Sequence, residues 1–289
     1  MELLRTPNYI IRHANTLEEL IRVEQMQIDV WGISNHVEIV PKDILLIVQK
    51  NGGLVLGAFD LTGEMIGFLF GFLGQTKDGR FKHCSHMMGV LQDYRHLGIG
   101  EQLKRVQREV VGKQGLDLIT WTVNPLEGVN ASLNFGKLGV ICRTLLPNFY
   151  GEMEDELNKG LPSDRFEVEW WINSQRVASR LAGGKDEVTL GGLHDQGVIL
   201  VNRIDADQNL LFLDRLPEND TLLLEVPVSL QQIKAGSLGR AKEWIDQTRE
   251  FFVTAFNKGY VVTEFYSLTE NGQRRNFYLL EKDPAGITA

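Results

Sequence analysis

The sequence predicts an α+β protein built on a mixed, mostly antiparallel sheet flanked by helices. Three observations carry that reading. Three apolar runs between Leu54 and Leu91 are joined by glycine turns at Gly63 and Gly79, and Asp-Gly between apolar runs signals a hairpin. Two helical patterns precede these runs. The third run passes through Arg95-x-x-Gly98-x-Gly100 into a further helix, which leads to another strand.

Taken in order, Ile10–Arg12 reads as a short strand. Thr16 suits an N-cap, and Glu19 three residues on completes a capping box. Leu17, Leu20, Ile21, Val23, Met26 and Ile28 then carry a helix to Trp31-Gly32. Pro41 opens a second helix through Ile44–Lys50, ended by Asn51-Gly52-Gly53. Leu54–Phe59, Met65–Leu73 and Cys84–Leu91 are the three strands. The glycine turn gives a helix to about Lys113, and Leu116–Thr122 is the next strand. Val129–Leu138 is helical, with Gly139 at its C′ position. Phe166–Ile172 is a strand. Residues 176–197 hold two glycine pairs around Asp186-Glu187 and read as a linker or long loop. Beyond them, Val198–Arg203, Leu210–Leu213 and Thr221–Val226 read as strands, and Ala241–Asn257 as an amphipathic helix. Tyr260–Leu268 and Asn276–Glu281 form a hairpin about Asn271-Gly272. The expected organisation is a first domain over 1–175, the linker, and a C-terminal α+β region over 198–289.

Composition narrows the function classes. Hydrophobic residues are 43% and charged residues 24%, as in soluble globular proteins. A net charge of −8 argues against a nucleic-acid surface. The apolar runs are too short to span a bilayer, and the first residues lack the apolar core of a signal peptide. Two cysteines, Cys84 and Cys142, imply no disulfide framework, and a cytoplasmic location is expected. No metal site is expected.

The stretch from His86 to Leu103 carries the chemistry. A strand, a glycine turn and a helix N-terminus present unpaired N–H groups and a partial positive charge, which suits a phosphate group. It is not a P-loop, because Glu101-Gln102 stands where Lys-Ser or Lys-Thr is needed. Nor does it have the three glycines of the dinucleotide fingerprint. Arg-x-x-Gly-x-Gly after a strand, with Leu103 three residues on, instead resembles the acetyl-CoA motif of the GNAT-type N-acetyltransferases. Asn130–Val140, with Lys137-Leu-Gly139-Val140 at its end, resembles that family's second motif block. The element order also matches. The resemblance covers roughly residues 8–175 and is closest to larger family members with a C-terminal extension. The order of elements over 220–282 resembles the C-terminal half of the same fold, as a degenerate half-copy would. Gly236-Ser-Leu-Gly239 reads more simply as a turn between helices than as a second phosphate loop.

The resemblance implies the GNAT acyl-CoA N-acyltransferase fold and transfer of an acetyl group, or another acyl such as succinyl, from acyl-CoA to an amine. The acceptor would be a small molecule or amino acid; a homodimer is left open. Met88 and Val90 would lie along the pantetheine. The backbone of Arg95, His96, Leu97, Gly98, Ile99, Gly100 and Glu101 would hold the pyrophosphate, and Asn130 and Phe135 would complete the CoA site. His86 would remove the amine proton, with Cys84 and Met88 on its face of the strand. Three positions depart from the family pattern. His96 stands where a glycine is common, and Gly128 where an asparagine is common. Phe135 replaces the tyrosine that protonates the leaving thiolate; Tyr150 is a substitute without further support. These departures admit a second reading, a non-catalytic acyl-CoA sensor or interaction module. Trp31, Trp121, Trp170 and Trp171 could line an acceptor pocket or simply pack the core. Glu152, Glu154, Asp155 and Glu156 could attract an amine or form a solvated face.

Overall fold

A computed structural model describes every residue except 1, 34–37, 154, 156–157, 185–187, 206, 208 and 289. Glu154, Glu156, Asp186 and Glu187 therefore lie outside the described residues. The chain divides into two compact units, residues 1–121 with 154–156, and residues 122–153 with 157–289.

The first unit is a twisted sheet with helices on both faces. Its strands are β1 (Glu2–Arg5), β2 (Tyr9–His13), β3 (Leu54–Asp60), β4 (Met65–Gln75), β5 (Phe81–Val90) and β6 (Leu118–Val123), side by side in that order. Every pairing is antiparallel except β5 with β6, which is parallel. Helices α1 (Leu17–Trp31) and α2 (Lys42–Lys50) cover one face, and α3 (Ile99–Lys113) covers the other. α1 starts at the expected capping box, whereas Pro41 is the N-cap of α2 rather than its first residue. Thr16 Oγ1 accepts the Glu19 amide at 3.2 Å, and the Glu19 carboxylate accepts the Thr16 amide at 3.2 Å. Gly32, at φ +65°, ends α1.

Two apolar layers fix the sheet. Leu20, Val23, Met26 and Leu45 from α1 and α2 pack on Val55, Phe59, Met65, Phe68 and Phe70. Ile99, Leu103 and Val106 from α3 pack on Ile11, Leu56, Ile66 and Leu69. The strands are apolar on both faces because both are covered, which is why they read as continuous apolar runs.

The second unit holds α4 (Gly128–Ala131), which continues as a π-helical turn over Ser132–Leu138, then β7 (Ile141–Leu146), β8 (Arg165–Trp171), α5 (Gln175–Leu181) and α6 (Leu190–Asp195). It goes on with β9 (Ile199–Leu200), β10 (Asn202–Ile204), β11 (Leu210–Phe212), β12 (Thr221–Val226), α7 (Leu230–Gly236), α8 (Leu238–Asn257), β13 (Tyr260–Glu270) and β14 (Gln273–Lys282). The strand order is β8-β7-β13-β14-β12-β9, with β10 and β11 a separate ribbon. A helix, a glycine at positive φ, a strand and an antiparallel return strand occur twice: the helix ending at Leu138 with Gly139, β7 and β8, then α8 with Gly259, β13 and β14. The two sets meet where β7 pairs antiparallel with β13 at Cys142↔Val262.

Several elements differ from the sequence expectation. The stretch read as a linker carries α5 and α6, each started by a hydroxyl cap: Ser174 accepts the Val177 amide and Thr189 the Gly192 amide. β1 and β7 are additional, short and mixed in polarity, and are formed by their neighbours rather than by their own pattern. Ser237 ends the turn after α7 and caps α8, so Gly236–Gly239 is the expected inter-helix turn.

Gly71 on β4 shows how tightly the first unit is drawn. A Cβ there would stand 2.3 Å from His83 Nε2 and 2.7 Å from the Cys84 carbonyl oxygen. The imidazole of the neighbouring strand occupies the space that a side chain would need. Gly71→Ala is expected to cost about 1–3 kcal/mol, read as a lower urea midpoint; an unchanged midpoint would mean that the two strands separate freely.

Candidate functional site

The candidate site lies in the first unit, where β5 leaves β6. The two strands are in register at His83↔Ile119 and Cys84↔Thr120. Opposite, the β4–β5 ladder steps between Phe70 and Gly71, pairing Gly71 with Ser85 but Phe70 with Met87. His86 is thus the extra residue of a β-bulge. The bulge resets the alternation of the strand. His83, Ser85 and Met88 turn towards α3, and Met87 joins the layer under α1 and α2. The sequence expectation put Met88 on one face with His86; the inserted residue separates them, and Met88 packs with the α3 layer instead.

His86 is exposed, with its ring 5.8 Å from that of Phe70 and 6.1 Å from that of Phe72. Partial burial between these rings lowers its pKa. Cys84 is a half-buried thiol outside any disulfide.

After Val90, a 3₁₀ turn over Gln92–Leu97 leads to Gly98 at φ +70°, which caps the start of α3. A left-handed residue between two helical segments reverses the chain and favours glycine there. The first-turn N–H groups of α3 have no carbonyl one turn back within the helix, and no side chain caps it. Around this turn Arg95 and His96 are exposed and Leu97 is partly buried, while Ile99 is wholly buried in the α3 layer. Ile99 therefore offers only its backbone. The Arg95 Nε donates to the Val90 carbonyl at 3.1 Å, and the Glu101 carboxylate is drawn one turn along the helix to Arg105 at 3.0 Å. That pairing draws the acid of the first turn of α3 along the helix.

Behind the parting strands is a buried polar cluster. Lys104 of α3, 2% exposed, donates from Nζ to Ser85 Oγ at 2.8 Å and to Gln107 Oε1 at 3.3 Å. Its Nζ also stands 3.5 Å from the centre of the Trp121 ring on β6. The side chain thus spans from one diverging strand to the other. Burial drives the Lys104 pKa well below the ordinary lysine value. Beside it, His83 is completely buried, with neither ring nitrogen hydrogen-bonded, and the Gln107 Nε2 is likewise unpaired. Sequence reasoning passed over this cluster. Its signal was present: Gly100, Lys104, Gln107 and Val111 lie in helical phase on the face that carries Leu103, so two polar residues sit on the buried side.

The remaining expected residues lie in the second unit. Asn130 is exposed on α4. Phe135 was expected at the cofactor, but it is fully buried, edge-on to Tyr278 at 5.5 Å and Phe166 at 6.4 Å. The wide π-helical turn directs its ring into the aromatic core, leaving it no surface for a ligand. The Tyr150 hydroxyl shares a 2.8 Å hydrogen bond with Thr122 at the end of β6. The tryptophans mostly pack: Trp31 edges onto Phe68, and Trp170 is buried with its indole N–H donating to the Leu138 carbonyl at 2.8 Å. Trp171 donates to Glu169. Of the acidic cluster, Glu152 is exposed and Asp155 buried. Among the described residues, no group of three His, Cys, Asp or Glu side chains could hold a metal ion, and no helix is long and apolar enough to cross a membrane.

No protein-family model and no curated protein matches the chain. Solved structures with partial likeness do exist. The ribosomal-protein-S18-alanine N-acetyltransferase from Escherichia coli aligns at 16% identity over 57% of this chain and 94% of its own, with a TM-score of 0.44. An acetyltransferase of GNAT family from Streptococcus pneumoniae aligns at 16% identity over 56% of this chain and 98% of its own, with a TM-score of 0.45. Arabidopsis thaliana Naa50, in complex with the bisubstrate analogue CoA-Ac-MVNAL, aligns at 17% identity over 55% and 95%, with a TM-score of 0.42.

The buried imidazole gives a pH test. Burial, helped by the nearby Lys104, lowers the His83 pKa from 6.5 to about 4. The unfolded chain takes up this proton more readily than the fold does. Stability is therefore full above pH 6.5 and falls as pH drops from 6.5 towards 4, by about 3 kcal/mol on this account. Urea unfolding at pH 7 and pH 4.5 should show a smaller acid loss in His83→Leu than in the wild type; equal losses would take His83 out of the acid transition.

Proposed function

We propose that this chain is a GNAT-type N-acyltransferase, moving an acetyl or other acyl group, such as succinyl, from acyl-CoA to the amine of a small molecule or amino acid. The observation that carries the reading is the combination in one unit of a bulged strand, its parting from a parallel neighbour, and the Arg95-x-x-Gly98-x-Gly100 turn at the start of α3. The turn supplies amides and a positive helix end for a pyrophosphate. The strand supplies free edge positions beyond Cys84 for an extended pantetheine. In this reading the amine nitrogen attacks the thioester carbonyl carbon, a tetrahedral intermediate forms, the carbon–sulfur bond breaks, and CoA leaves as the thiolate. An attacking amine must first lose a proton. His86, exposed at the bulge with a lowered pKa, is proposed to take it. A cytoplasmic location belongs to the same proposal, as does the view that residues 220–282 are a degenerate half-copy of the fold, supported by the repeated helix, glycine, strand and return strand.

One observation favours a second reading, a non-catalytic acyl-CoA sensor. Phe135 has no hydroxyl and is closed in the core, so it cannot protonate the thiolate. Thiol release from acetyl-CoA and succinyl-CoA with a panel of amines separates the two, being present in the enzyme and absent in the sensor.

Two predictions follow the proposed roles. In Gly98→Val, a side chain would stand over the phosphates and the backbone would leave its left-handed conformation at a cost of about 1 kcal/mol or more. CoA affinity by isothermal titration should fall at least about tenfold; an intact affinity in a folded variant would reject the pyrophosphate site.

His86→Gln should lower kcat/KM about 10²-fold while leaving CoA affinity unchanged. In the wild type, the acid limb of kcat/KM should fall below the ordinary histidine value of 6.5, since burial lowers this pKa. An unshifted acid limb with wild-type rates in His86→Gln would remove the imidazole from the mechanism.

A further inference from the structure

The second unit contains a cleft of about 1190 Å³ that the acyl-transfer proposal does not use. It is bounded by β10, the end of β12, one side of α7, the start of α8, and the β13–β14 turn. Its charges are unequally engaged. Arg275 is held by Glu225 through two contacts of 2.7 Å and by Glu270 at 2.6 Å, so these three groups form a wall triad with one carboxylate charge in excess. Asp205 is turned onto the Asn209 side chain at 2.9 Å and onto the amides of Asp207 and Asn209. Arg203 and Arg240 have no carboxylate within 4 Å among the described residues, and Arg274 donates only to Ser267 Oγ at 2.6 Å. Three guanidinium groups outside any ion pair among the described residues thus line one cleft, with Asp205 near Arg240, and the charged lining as a whole sums to +1 in a chain whose net charge is −8.

The rest of the lining specifies more than a free ion. Val226, Pro227, Val228 and Ile233 form an apolar wall beside the arginines. The volume far exceeds one phosphate and lies somewhat above the usual range of about 300–1,000 Å³ for small-molecule sites. Arginine forks bind phosphate oxygens two at a time. An apolar wall suits a flat ring. We propose that this cleft binds an organic phosphate of nucleotide size, its phosphates on Arg203, Arg240 and Arg274 and its ring against Val226–Val228. The inference is independent of the acyl-transfer reading, since none of its residues belongs to the glycine turn.

The experiment titrates the full chain with ADP, adenosine and inorganic phosphate by isothermal calorimetry, in the wild type, in Arg203→Gln/Arg240→Gln and in Gly98→Val. Both arginines sit at the surface, and melting curves check that the variants fold. Saturable ADP binding, weakened at least about tenfold by the arginine pair and unaffected by Gly98→Val, is expected, with adenosine and phosphate each much weaker. ADP binding that survives the arginine substitutions, or that is lost in Gly98→Val, would place the nucleotide on the α3 turn and overturn the assignment. Absence of saturable ADP binding at millimolar concentration, or phosphate or adenosine binding as tightly as ADP, would overturn it as well.

Discussion

The first unit depends on the separation of two parallel strands and on the way that separation is filled. Parallel strands that stop pairing leave backbone groups and a gap that water or side chains must fill. Here an amine on a long stem does so. Lys104 reaches from α3 between Ser85 and Trp121, and its methylenes run through the apolar layer while Nζ finds a hydroxyl, an amide oxygen and an aromatic face. An unpaired buried amine would be far more costly than this arrangement, so these three contacts hold the side chain in place. The helix that carries Lys104 also carries the glycine turn. The same packing therefore fixes the phosphate-type helix start and the angle at which β5 leaves its neighbour.

Much of this was legible in the sequence. The capping box at Thr16 and Glu19, the two glycine hairpins and the turn at Gly98 each depend on local chemistry that one or two residues dictate, and each lies where expected. The bulge at His86 was not legible, because nothing within Cys84–Met88 marks one residue as extra. It follows from the partner strand, where Gly71 admits the His83 ring. Once the bulge is present, alternation fails, and Met88 leaves the face of His86. β7 was missed for a related reason. Its polar and apolar residues do not alternate well, and its pairing with β8 and β13 comes from distant parts of the chain. The helices in 175–195 are short and glycine-bounded, so their hydroxyl caps were outweighed by their breakers.

The second unit is held by aromatic edges and by charged pairs turned inward. Tyr278 meets Phe135, Phe166, Phe252 and Phe265, and its hydroxyl donates to the Pro125 carbonyl at 2.6 Å. Asp164 takes two bonds from Arg249, and Glu264 is shared by Arg176 and Arg180. Breaking one member of such a pair strands its partner in a poorly solvated place, so these pairs constrain the fold more than they add to its net stability.

The π-helical turn over Ser132–Leu138 has a consequence for descent. A ring closed between residues five apart holds one residue more than an α-helical ring. Because the wider turn absorbs the extra residue, removing one residue here would let the helix close in the ordinary way while the segments before and after it kept nearly the same relative facing. Asn130 and Gly139 would hold their places. A one-residue change in chain length at this point is thus a small genetic step that leaves the flanking elements undisturbed, and aligning this segment with other chains requires a gap of one inside the turn rather than at its ends.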